Sequence, residues 1–213
     1  MSHRYWPMFD IRLTTPDLEL RHLTEADLSC LAGIVPDDAE QDPAATTYDG
    51  LERSRNRGAV VHQDYWRARG GWRPESWALS FGVFWDGELV GYQGLEGDDF
   101  ARLRTVDSSS FLTPAVRNRG WGKQMRAAVL TLAFGQLDAR FAITSAWSDN
   151  YASLAVSRAL GYADNGITAH LRGDAAGEMA HLRLTRETWM ASSWLGQVSV
   201  SGVEECLVFF GLG

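Results

Sequence analysis

The segment WALSFGVFWDGELVGYQGL, residues 77–95, constrains the fold more than any other. Two apolar runs rich in aromatic and β-branched residues flank Asp86 and Gly87. An Asp-Gly pair is what a two-residue type I′ turn selects, because both central residues need positive φ. The segment predicts an antiparallel hairpin in mid-chain, which rules out an all-helical bundle. Residues 105–112, TVDSSSFL, read as a third strand beside it.

The flanking segments alternate between strand and helix signals. Residues 18–24, LELRHLT, alternate apolar and polar and read as a strand. Thr24 then caps a helix with acidic residues in its first turn. Residues 36–50 are polar, hold two prolines and read as a loop. Residues 51–72 read as a second helix, weakened at Gly58 and stopped by Gly70 and Gly71. Met125, Val129, Leu130, Leu132 and Ala133 fall at helical spacing. Residues 140–147 read as a strand, and residues 150–162 as a helix capped by Asn150 and ended by Gly161. Residues 169–174 and 178–185 form a closing hairpin. The expected order is β-α-α-β-β-β-α-β-α-β-β: one α/β (α+β) domain over residues 9–190, with a mixed central sheet of about six or seven strands flanked by helices. The apolar tail, residues 191–213, is expected to add a strand or to contact another copy of the chain in a homo-oligomer.

Composition narrows the function. The apolar share is 45% and the charged share 22%, which suits a domain with a sizeable core. A net charge of −7 argues against nucleic acid as the partner, since phosphate neutralisation needs a basic surface. Cys30 and Cys206 have neither metal nor disulfide spacing, so no metal is expected. The N-terminus carries no apolar signal run, and no apolar stretch reaches membrane-spanning length. These features point to a cytoplasmic protein with no membrane partner.

Residues 114–125, PAVRNRGWGKQM, hold the clearest chemical signal. A strand ends near Leu112, a loop follows, and Gly120 and Gly122 stand where a helix starts. The first N–H groups of a helix lack intrahelical partners, and the helix dipole makes that end positive. Glycines let a bulky pyrophosphate approach the backbone closely, and Arg117, Arg119 and Lys123 add charge. Trp121, between the glycines, reads as a packing residue.

The segment RNRGWG resembles the R/Q-x-x-G-x-G/A pyrophosphate loop of the GCN5-related N-acetyltransferase (GNAT) family. DNYASLAVSRALGY, residues 149–162, is similar to that family's second element, an Asn, a helix of small residues and a closing Gly-aromatic pair. TTPDLELRHLTEADL resembles the opening strand and helix of the branch that acetylates ribosomal-protein N-termini. MRAAVLTLAF, after the glycine loop, resembles an actinobacterial-type branch that uses succinyl-CoA as well as acetyl-CoA. The resemblance covers residues 9–189. It implies that Arg117, Asn118, Arg119, Gly120, Trp121 and Gly122 present the loop to the CoA pyrophosphate and that Lys123 continues it. It implies that Leu112 and Thr113 offer backbone groups to the pantetheine arm, that Asn150 bonds the pantetheine, and that Ser153 lies near the thioester sulfur.

The implied reaction is attack of a neutral amine on the thioester of acetyl-CoA or succinyl-CoA. The acceptor is a protein N-terminus, a lysine side chain or a small amine. A base must take the proton of an ammonium, a donor must meet the oxyanion, and the thiolate must leave. Many family members place a Tyr seven residues after the Asn to protonate the thiolate; here that position is Ser157, which shifts attention to Ser153, with Tyr151 and Tyr162 behind it. Asp107 is the expected base, and His170 and His181 are expected to face each other in the closing hairpin. The acidic residues 96–100 read as a solvated loop that could attract a cation. A succinyl carboxylate would need a positive or polar contact from Arg21, His22, Arg102 or Arg104.

Overall fold

The computed structural model describes residues 3–39, 46 and 48–212, so the expected loop over residues 36–50 lies partly outside the described residues. Two short strands, β1 (Arg12–Thr14) and β2 (Glu19–His22), pair antiparallel. Thr24 and Asp27 then close a capping box at the start of α1 (Glu25–Ile34), each side chain bonding the other's backbone N–H. Helix α2 (Arg53–Gly70) runs unbroken through Gly58, contrary to the expected weak point. A Cβ at Gly58 would stand 3.7 Å from the Ala32 Cβ, so the glycine sits where α2 packs on α1.

The central hairpin is β3 (Ser76–Trp85) and β4 (Glu88–Asp98), and its turn has φ of 49° at Asp86 and 81° at Gly87. The acidic segment 96–100 is not a loop. It ends β4 and opens a single turn, α3 (Phe100–Leu103), whose Phe100 is wholly buried. The expected third strand is split into β5 (Thr105–Asp107) and β6 (Ser110–Leu112). Helix α4 (Trp121–Thr131) continues into a π-helical turn, Leu132–Gln136. Then come β7 (Phe141–Trp147), α5 (Tyr151–Ala159), β8 (Ala163–Arg172), β9 (Ala175–Thr185) and α6 (Arg186–Met190). The last strand is β10 (Ser199–Ser201), followed by a 3₁₀ turn, Glu204–Phe210.

These strands make one mixed sheet in the order β10-β1-β2-β3-β4-β5-β7-β9-β8, with β6 also on β4. The sheet has more strands than expected because β1 and β10 are three residues each, too short to show alternation. The tail lies against the domain: β10 pairs with β1, Cys206 and Phe210 are fully buried, and the Trp72 indole donates to the Phe209 carbonyl at 2.9 Å. Leu28 and Leu31 of α1 and Tyr65 of α2 pack over Tyr92 and Phe111 on one face of the sheet. The buried side of α4 joins the main core on the other.

One departure from regular pairing shapes the site. β5 and β7 pair in parallel, Thr105 with Phe141 through Asp107 with Ile143. Past Asp107 that pairing stops. β6 stays on β4, with Tyr92 opposite Phe111, while β7 stays on β9 out to Trp147. The sheet therefore forks between β6 and β7, and α4 starts beneath the open end.

Candidate active site

The fork belongs to a cleft of about 1650 Å³, larger than a drug-sized site. Its walls carry backbone groups that the sheet ladder does not use. In an antiparallel ladder, successive residues turn their N–H and C=O groups alternately toward and away from the partner. The Gly94 N–H donates to Ser109 and the Thr113 N–H to Val90, so residues 109, 111 and 113 face β4. The backbone groups of Ser110 and Leu112 consequently face the fork, where the Leu112 carbonyl already accepts the Arg117 Nε–H at 3.2 Å. Of the two residues expected to offer groups to the pantetheine, Leu112 turns its N–H inward, and Thr113 has its N–H engaged with Val90. Ser110 was not singled out in the sequence; its alternation with Leu112 was the available signal.

At the open end stands the glycine loop. Gly120 is the N-cap of α4 at φ 82°, and Asn118 is also left-handed at φ 64°. The Gly120 carbonyl takes the Lys123 N–H at 3.1 Å, while the N–H groups of Trp121 and Gly122 have no intrahelical partner. A Cβ on Gly122 would stand 3.3 Å from Val156 of α5, so the glycine permits close approach of the two helices. Lys123 and Asn118 line the cleft. The arginines are otherwise engaged: Arg117 makes a bidentate pair with Asp38, at 2.7 and 2.8 Å, and Arg119 lies 5.6 and 5.2 Å over the Trp85 and Trp121 rings. Trp121 is buried in the core.

Helix α5 forms the far wall, with Asn150, Ala152, Ser153, Ala155 and Val156 on the cleft. Asn150 Oδ1 accepts the Ser153 N–H at 3.1 Å and caps the helix, leaving its amide NH₂ for other partners. Ser157, which stands in the Tyr position, is buried and donates to the Ser153 carbonyl at 3.1 Å. Tyr151 points to solvent.

The inner end, where β5 and β7 part, holds the ionisable groups. Asp107 accepts the Ser108 N–H at 2.6 Å. Burial pushes its carboxyl above the ordinary range, offset in part by that hydrogen bond and by the positive field of Arg126. Arg126 of α4 is only 3% exposed, and its guanidinium reaches across the fork to Thr144 Oγ1 of β7 and Ser110 Oγ of β6, each at 3.3 Å. Tyr162 is a core residue whose hydroxyl lies beside Ser108 and Arg126 without a well-formed hydrogen bond to either, and burial raises its pKa. His181 bonds Ser145 at 2.8 Å and Thr168 at 2.6 Å, and Thr168 bonds His170 at 2.7 Å, so the two histidines are bridged by a hydroxyl.

The four residues expected to hold a succinyl carboxylate are not on the cleft. Arg21 pairs with Asp27 at 3.0 Å. His22 is buried against Phe9 and Phe81 and beside Arg69, which pushes its pKa down to about 3 and keeps it neutral. Arg104 donates to the Leu137 carbonyl, and Arg102 sits on the exposed side of α3. Arg126, which does line the cleft, was not singled out in the sequence. The signal was an arginine on an apolar helix face, four residues after Gly122 and four before Leu130.

A family model for the acetyltransferase (GNAT) domain matches residues 17–163, and the chain belongs to this family. Solved structures share the fold. Mycobacterium smegmatis RimJ in complex with CoA-disulfide superposes with a TM-score of 0.68 at 18% identity, covering 91% of this chain and 98% of that one. RimL, a ribosomal L7/L12 alpha-N-protein acetyltransferase in complex with coenzyme A, gives 0.63 at 17% identity over 80% and 95% of the two chains. A spermidine N-acetyltransferase SpeG chimera from Vibrio cholerae and human gives 0.63 at 12% identity over 83% and 99%.

Proposed function

We propose that this chain is an acyl-CoA-dependent N-acyltransferase that moves an acetyl group from acetyl-CoA to a primary amine by direct attack. The observation that carries the reading is the fork: inward-facing backbone of Ser110 and Leu112, set above the free N–H groups of Trp121 and Gly122. Pantetheine amides pair with the first and pyrophosphate with the second. The site is built for a long thioester with an anionic tail, the chemistry of the CoA-bound relatives.

In the transfer, the acceptor ammonium first loses a proton to Asp107, directly or through water. Burial of Asp107 makes it a stronger base than a surface carboxylate. The neutral nitrogen attacks the thioester carbon, the C–S bond breaks, CoA leaves as the thiolate, and the second proton of the nitrogen passes to that thiolate through water, giving the amide and free CoA thiol. The Ser110 N–H is placed to donate to the developing oxyanion. Ser153 positions the sulfur, since a serine hydroxyl is a poor acid. Glu96 and Asp98 line the cleft with Asp107, which favours a cationic amine: a protein N-terminus, a lysine side chain or a polyamine. Succinyl-CoA is the second donor reading, and the position of Arg126 favours it.

The test is release of free thiol from acetyl-CoA with a panel of peptides bearing free N-termini, blocked lysine peptides and polyamines. Turnover with one class identifies the acceptor. Tight acetyl-CoA binding with no release across the panel would overturn catalysis and leave an acyl-CoA-binding protein.

A further inference from the structure

Arg126 poses an electrostatic problem that its neighbours do not solve. A guanidinium withdrawn from water without a counter-charge is strongly disfavoured. Its partners here are two neutral hydroxyls at 3.3 Å, longer than the roughly 2.7–2.9 Å of charge-assisted bonds to anions. Its Nε is buried with no hydrogen-bond partner, and so is the neighbouring Ser108 Oγ. Among the described residues Arg126 enters no ion pair. Asp107 stands near enough to feel its field, but its Oδ1 is turned to the Ser108 N–H.

The surroundings say what would complete it. Arg126 lines the cleft, together with Ser108, Ser110 and Thr144. It sits where β5 and β7 part, one helical turn past Gly122 and away from the N–H groups at the start of α4. A planar fork of N–H donors with hydroxyls on either side matches a carboxylate, which it can hold at two oxygens.

We propose that Arg126 binds a carboxylate of a reactant at the inner end of the fork and so sets the preference of the enzyme for it. This rests on the CoA reading above. Two sources share the chemistry: the distal carboxylate of a dicarboxylic acyl group such as succinyl, lying beyond the thioester, or the α-carboxylate of an amino-acid acceptor.

The experiment measures calorimetric binding of CoA, acetyl-CoA and succinyl-CoA to the wild type and to Arg126→Met. In a second arm, with CoA saturating, free amino acids and their amides are titrated into both proteins. Loss of a charge-assisted bond is expected to weaken binding by about tenfold or more. If the acyl chain is the source, succinyl-CoA binds at least about tenfold tighter than acetyl-CoA, and Arg126→Met abolishes the difference while free CoA binds as before. If the acceptor is the source, the three thioester-series ligands bind alike, and the wild type prefers amino acids over amides in a way the variant does not. Thr144→Val, which keeps the charge but removes a hydroxyl that orients it, should weaken the same preference partway, and it serves if Arg126→Met does not fold. No carboxylate preference in either arm, or one that survives both substitutions, overturns the proposal. Failure of wild-type protein to bind CoA itself would instead sink the reading on which it rests.

Discussion

In the proposed reaction, the surroundings of Asp107 set how well it serves as a base. Burial raises its folded pKa above the unfolded value, so the folded state holds this proton more tightly. Its contribution to stability is therefore present below the unfolded pKa and lost as pH rises through the folded one. The same shift means that a catalytic limb governed by Asp107 rises with pH above the ordinary carboxylate range. Asp107→Asn is expected to lower kcat by roughly 10²-fold or more, to remove that limb from the pH profile of kcat/KM, and to leave CoA affinity unchanged. Protein stability should then be no lower at neutral pH, which thermal unfolding across pH would show. An unaltered kcat would remove Asp107 from the reaction. The position of Asp107 on the cleft was legible in the sequence because it lies on the strand leading into the glycine loop. Arg126 was not: its helical position reads as core, and only the fork above it explains a charge there.

At the scale of elements, the glycine loop and α5 were legible, since turn and cap chemistry is local. Gly120 at positive φ, the type I′ turn at Asp86 and Gly87, and the Asn150 cap all follow from residue type. The split of the third strand was not legible. Val106, Asp107, Ser108 and Phe111 read as one run, and what divides them is that β7 leaves while β4 stays. Such a choice of partner belongs to the sheet. Asn150 caps α5, and substitution can separate that task from its proposed bond to pantetheine. Asn150→Ala should cost about 1 kcal/mol of stability through the lost cap, measured by denaturant midpoint. Asn150→Ser keeps a capping oxygen and should restore that stability. If Asn150 also bonds pantetheine through its NH₂, CoA affinity falls in both variants; affinity unchanged in Asn150→Ser would confine the residue to capping.

At the scale of the molecule, the C-terminal segment and the N-terminal strands close one edge of the sheet, while the other edge, β8, is exposed throughout its length. The aromatic residues explain why the tail stays in place. Phe210 is fully buried, 4.8 Å from Trp77 and 5.4 Å from Trp72, with Trp6 stacked edge-on to Trp72. Phe210→Ala is expected to cost about 3–5 kcal/mol of unfolding free energy, with CoA affinity retained because Phe210 does not line the cleft. A loss below about 1 kcal/mol would mean that the tail does not share the core. Among the described residues no helix is long and apolar enough to cross a membrane.

The measurement that tests the account most directly is calorimetric titration of CoA into the wild type and into Gly122→Val. Valine at Gly122 crowds Val156 and fills the approach to the start of α4. One CoA site per chain is expected in the wild type, with at least a tenfold loss of affinity in the variant, which stays folded at a lowered unfolding temperature because of the crowded Val156 contact. Equal affinity in the two proteins, or no binding to the wild type, would contradict the assignment of the fork and glycine loop to CoA.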